Sequence, residues 1–122
     1  MYLTSVNSML IFAHRGASGV EPENTLRAIQ AALDAEVDGI EIDIHQVGGE
    51  LFVIHDRWLQ RTTSGKGQIS HHNPEHLRSL DAGNGEKIPT LDEVLTLVAG
   101  KCTINLELKK VDDLQLLFDY ID

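Results

Sequence analysis

Apolar residues follow two rhythms along this chain, and the changes of rhythm predict its elements. From Met9 to Ala13 a short apolar run is halted by His14-Arg15-Gly16, as in a buried strand that delivers polar groups at its end. Leu26, Ile29 and Leu33 then recur at helical spacing until Gly39, with Asn24 standing where an N-cap belongs. Residues 40–45 alternate strictly: Ile40, Ile42 and Ile44 share one face of a strand, and Glu41, Asp43 and His45 share the other. Leu51 to Ile54 predicts another short strand.

Residues 57–87 are loop-like, apart from a short helix with Asn73 as N-cap and Pro74 at its first position. Thr90 and Glu93 have the spacing of a capping box, opening a helix through Leu91, Val94, Leu95 and Val98 that Gly100 closes. Ile104, Leu106 and Leu108 alternate with Asn105, Glu107 and Lys109 in a further strand. Val111, Leu114, Leu117, Phe118 and Ile121 form a last helical stripe. Strand and helix in repeated succession predict an α/β fold of parallel (β/α) units, since a crossover helix is the usual route back to a parallel strand. With no linker or low-complexity tract, residues 1–122 are expected to form a single domain.

Composition changes this picture little. The chain has 122 residues, 42% hydrophobic and 24% charged, which suits one globular domain. Its 19 acids against 10 bases include no basic stripe for phosphate backbones, so no nucleic-acid partner is expected. Cys102 is the one cysteine, which excludes an intrachain disulfide and a thiolate zinc cluster. The first seven residues lack a basic, apolar leader, and no stretch approaches ~18 uninterrupted apolar residues. A cytoplasmic protein without stable membrane insertion is the expectation.

The carboxylates need more explanation. Parallel strands are normally buried on both faces and read as continuous apolar runs, yet two strands here point charged groups along one face. Burying an unpaired carboxylate costs several kcal/mol. Mg²⁺ or Ca²⁺ would take oxygen ligands; Glu41 and Asp43, two apart on a strand, can share one ion, and Glu107 lies on the matching face of a later strand. Lys109 would balance charge or hold a phosphate oxygen. On spacing alone, a polar strand face that meets water accounts for the same pattern. His14 and His55 each follow an apolar strand, the end where active sites of βα folds gather, and histidine exchanges protons near neutral pH. Arg15 offers a planar donor fork to phosphate.

Several motifs combine in order: His14-Arg15-Gly16-Ala17, Pro22-Glu23-Asn24-Thr25, Glu41-Ile42-Asp43, His55-Asp56, Arg61-Thr62-Thr63 with Gly65 and Gly67, Leu80-Asp81-Ala82-Gly83, Ile88-Pro89-Thr90-Leu91 and Asn105-Leu106-Glu107-Leu108-Lys109. In these the chain resembles glycerophosphodiester phosphodiesterases of the phosphatidylinositol-phospholipase-C-like superfamily. The resemblance implies a TIM-type (β/α)₈ barrel and one divalent metal, Mg²⁺ or Ca²⁺, on Glu41, Asp43 and Glu107. It implies His14 and His55 as an acid–base pair, with Arg15 and Lys109 as phosphate contacts. The implied substrate is a small glycerophosphodiester, cleaved to glycerol 3-phosphate and an alcohol. A sphingomyelinase-D-like or phosphatidylinositol-phospholipase-C-like enzyme and an inactive binding fragment are the alternatives.

Two departures from the family pattern stand out. Its T-x-D-G turn between the metal carboxylates and the second histidine is replaced by the shorter Val47-Gly48-Gly49. A closed barrel takes roughly 200 to 250 residues, so this chain is expected to be a partial barrel of about three to four strands, the N-terminal half, open to self-association along its unpaired edges.

Overall fold

In the computed structural model, which describes residues 2–5 and 8–121, a four-stranded sheet carries the site. Strand β1 (Tyr2–Ser5) and strand β2 (Ser8–Leu10) form a separate antiparallel pair ahead of it. The single strand expected over residues 9–13 therefore divides, and β3 (Phe12–His14) begins after Ile11. Ile11 is the point of division because it is clamped to Asp38. Its N–H donates to the Asp38 carboxylate at 2.8 Å, and its carbonyl accepts from the N–H groups of Asp38 and Gly39 at 2.8 and 3.2 Å.

Helix α1 (Leu26–Asp34) follows β3, and here the expected N-cap is corrected. Thr25 caps the helix, accepting from the Ala28 N–H at 3.2 Å. Asn24 sits in the left-handed region at φ 56° and sends its amide to Asp43 instead, at 3.0 Å. Asparagine tolerates that conformation better than most residues, so the position serves the turn and leaves the cap to its neighbour.

Strand β4 (Gly39–Val47) is the centre of the sheet. It pairs in parallel with β3, Phe12 opposite Gly39 and His14 opposite Glu41, and in parallel with β6 (Thr103–Lys110), Asp43 opposite Glu107. Its far end pairs antiparallel with β5 (Glu50–Val53), Val47 opposite Glu50. Two residues, Gly48 and Gly49, join β4 to β5, and a parallel return needs a crossover of a dozen residues or more. The parallel βα pattern thus holds for β3, β4 and β6, with β5 as an antiparallel insertion. Gly48 stands at φ +60°, at the first loop position that a type II′ hairpin turn reserves for glycine.

Helix α2 (Pro74–Ser79), α3 (Leu91–Val98) and α4 (Leu114–Ile121) complete the chain. Asn73 caps α2, and Thr90 and Glu93 form the expected capping box on α3. Ile40, Ile42 and Ile44 are fully buried against Ile29 and Ala32 of α1, Leu91, Val94 and Val98 of α3, and Leu117 of α4. Each such isoleucine contributes about 1.5–3 kcal/mol relative to exposure. The segment after β5 has a core of its own, in which Leu59, Ile69, Leu77 and Ile88 close over Phe52 and Ile54. It is a packed cover and not a slack loop. Among the described residues no helix is long and apolar enough to cross a membrane.

Candidate active site

With the isoleucine face of β4 turned to the helices, the alternation of the strand leaves Glu41, Asp43 and His45 on its other face. Parallel register then sets Glu107 of β6 beside Asp43. One carboxylate oxygen from each of Glu41, Asp43 and Glu107 lies within 4.8 Å of the other two. Their exposures differ: the Asp43 side chain is fully buried, that of Glu41 14% exposed and that of Glu107 54% exposed.

The turn after β3 supplies the donors. Arg15 at φ 58° and Gly16 at φ 76° bend the chain sharply, and a Cβ on Gly16 would lie 2.8 Å from the backbone of Ala28. The bend directs the Arg15 N–H to the Glu41 carbonyl at 2.7 Å and to Glu41 Oε1 at 3.2 Å. The Arg15 guanidinium bonds Glu23 at 3.2 Å and stands 3.6 Å from Asp43 Oδ2. Lys109 Nζ donates to Glu107 at 2.9 Å.

Two buried carboxylate oxygens, Glu41 Oε2 and Asp43 Oδ1, have no hydrogen-bond partner. Such groups are costly unless something supplies positive charge. Two inward lone pairs, a third carboxylate at the rim and only oxygen donors make a set that fits a hard divalent cation. Charge crowding has a further consequence. Burial first, and then Asp43, push the Glu41 carboxyl up to about 7, whereas Lys109 holds the Glu107 carboxyl below its ordinary value.

The two histidines have different surroundings. His14, at the end of β3, is 64% exposed, with Nε2 3.6 Å from Glu41. His55 follows β5 and is tied back: its Nδ1 lies 2.7 Å from Asp56. Arg61 grips Asp56 with two bonds of 2.8 and 2.9 Å and Glu23 with two more of 2.8 and 2.9 Å. Because Glu23 also holds Arg15, a line of alternating charge runs from Arg15 through Glu23, Arg61 and Asp56 to His55. The Arg61 hydrogen bonds hold the Asp56 carboxyl well below the usual carboxylate range. His45 is buried, its Nε2 3.0 Å from the His55 carbonyl, and burial lowers its pKa.

The structure thus gathers Glu41, Asp43, Glu107, Arg15, Lys109 and His14 in one network and sets His55 on a second arm joined to it by Arg61. Glu23, Asn24, Asp56 and Arg61 carry contacts that sequence reasoning did not assign, although each lies inside a motif already singled out. A charged residue beside a strand-end histidine was the available signal.

Fold and site together define a partial TIM-type α/β barrel with an acidic centre on one face of its parallel strands. The chain belongs to the glycerophosphoryl diester phosphodiesterase family, whose pattern residues 14–117 match. It is 42% identical over 109 residues to a glycerophosphodiester phosphodiesterase of Caldanaerobacter subterraneus subsp. tengcongensis, covering 82% of this chain and 45% of that relative. Its fold matches the crystal structure of a glycerophosphodiester phosphodiesterase from Agrobacterium tumefaciens with a TM-score of 0.84 at 35% identity, over 91% of this chain and 52% of that one. A phosphodiesterase of Oleispira antarctica, solved in complex with the product sn-glycerol-3-phosphate, matches with a TM-score of 0.85 at 34% identity, over 93% of this chain and 51% of that one. The chain spans about half the length of these relatives.

Proposed function

We propose that this chain carries the catalytic groups for hydrolysing glycerophosphodiesters to glycerol 3-phosphate and an alcohol. The observation that carries the reading is the meeting of three carboxylates around two unpartnered buried oxygens, flanked by one exposed and one tethered histidine. Glu41, Asp43 and Glu107 would hold one Mg²⁺ or Ca²⁺, which supplies Lewis acidity and positive charge at the phosphoryl group. Arg15 and Lys109 offer further positive charge to the phosphate oxygens.

His55 and His14 share the proton work. An ionised Asp56 can only accept, so His55 carries a proton on Nδ1 toward it. Asp56 also fixes the orientation of the ring, as the carboxylate partner of a catalytic histidine does. As an imidazolium, His55 would carry a second proton on Nε2 and give it to the departing alcohol oxygen, while His14, exposed beside Glu41, would take a proton from the attacking hydroxyl or water. Arg61 and Glu23 keep Asp56 and Arg15 in register with each other.

The test is hydrolysis of glycerophosphocholine, lysophosphatidylcholine and sphingomyelin by the chain, with and without chelator. Chelator-sensitive release of glycerol 3-phosphate from the first is expected. His14→Ala should keep the ion yet lose turnover by ~10²-fold or more, the usual worth of a general acid or base. Cleavage of sphingomyelin alone, or turnover retained in His14→Ala, would overturn the assignment.

A further inference from the structure

One cavity adjoins the site and shares His55 and Lys109 with it. It is an open cleft of about 510 Å³ whose lining includes His55, Lys109, Arg57, Trp58, Ser70 and Lys110. That volume is in the ordinary range for a small-molecule pocket and exceeds what a three-carbon glycerol arm fills. Since His55 borders it, the arm of a phosphodiester that departs from that histidine would extend into it.

The chemistry of the lining is one-sided. Arg57, Lys109 and Lys110 bring three positive charges, and the one carboxylate among the lining residues, Asp56, is already gripped by Arg61 and His55. Lys109 is half committed through its bond to Glu107, whereas Arg57 and Lys110 have no carboxylate partner among the hydrogen bonds and ion pairs of the described residues. The aromatic wall matters too. A tryptophan face is the usual seat for a quaternary ammonium group, but the Arg57 guanidinium stands 5.6 Å from the centre of the Trp58 ring. Arg57 therefore adds a positive charge beside the ring, and that charge repels a choline headgroup.

From these walls we infer that the cavity bounded by Arg57, Trp58 and Lys110 is a headgroup subsite that selects anionic alcohols, such as phosphorylated polyols, against quaternary amines. This rests on the proposed catalytic reading for the direction of the scissile bond, but not for the binding itself. Trp58 is the single tryptophan of the chain, so intrinsic fluorescence reports the cavity directly.

The experiment titrates the full chain, in chelator and at constant ionic strength, with inositol 4-phosphate, inositol, choline and inorganic phosphate. Saturable change in Trp58 emission is expected with inositol 4-phosphate, roughly tenfold tighter than with inorganic phosphate, and none with choline. Arg57→Gln and Lys110→Gln should each weaken the anionic polyol several-fold, while Lys101→Gln, an exposed lysine that does not line the cavity, should not. Saturation by choline, equal affinity for bare phosphate, or an unchanged affinity in both cavity variants would each overturn the inference. Because no turnover is needed, a chain that binds the polyol but hydrolyses nothing would sink the catalytic reading alone.

Discussion

Glu41 is the residue at which burial and charge oppose the work asked of it. Its carboxyl is pushed up to about 7 by burial and then by Asp43, so in the ion-free fold it holds a proton that the unfolded chain releases near 4.5. Between those values the native state binds the extra proton, and stability of the ion-free protein falls as pH rises through that window. Cation affinity runs the opposite way, since below about 7 the ion must displace the proton. Calorimetric titration with Ca²⁺ at pH 6 in buffers of different ionisation enthalpy should show proton release that fades above pH 7. Proton release that does not change across this range would contradict the assignment of Glu41 as a ligand. This pKa was not legible in the sequence, because alternation gives the face of a residue and not its depth.

Elements whose signals are local were the ones the sequence disclosed best. The capping box of α3 depends on two side chains three residues apart, and Thr90 and Glu93 make both of its bonds, at 2.9 and 3.3 Å. Thr90→Ala should lower stability by about 1 kcal/mol in urea unfolding, with little change in ion binding; a neutral effect would mean that α3 is held by Leu91, Val94 and Val98 alone. The alternation of β4 and β6 was equally readable, since one period runs the length of each strand. Where a longer-range partner decided the outcome, the pattern misled. Asn24 has the chemistry of an N-cap, but Asp43, 19 positions on in the sequence, takes its amide. Ile11 continues an apolar run, but Asp38 ends the strand there. The antiparallel course of β5 was implicit in the two-residue joint Gly48-Gly49, and the cover packed over Phe52 and Ile54 was hidden because its apolar residues have no period.

At the scale of the whole molecule, three parallel strands hold the site, and among the described residues β3 and β6 are each paired on one side. Among the described residues β6 pairs only with β4, and Leu108, Leu114, Phe118 and Ile121 are each more than 40% exposed nearby. An unpaired strand edge with apolar neighbours is a template for association. Sedimentation should therefore show mass rising with concentration, and Phe118→Glu should shift the chain toward monomer; a monomer at all concentrations would remove self-association from the account. Alternation disclosed the acidic face, and the family motifs with the chain length foretold a partial barrel, whereas the Arg15–Glu23–Arg61–Asp56 line emerged only once the chain was folded.

Everything proposed for the chemistry depends on the three carboxylates acting as one site. Isothermal titration of the full chain with Ca²⁺ and Mg²⁺, beside Asp43→Asn, measures this most directly. One ion per chain is predicted, with affinity reduced by ~10-fold or more in the variant, as expected when a charged ligand is lost. Absence of binding by the unaltered chain, or equal binding by Asp43→Asn, would contradict the metal centre.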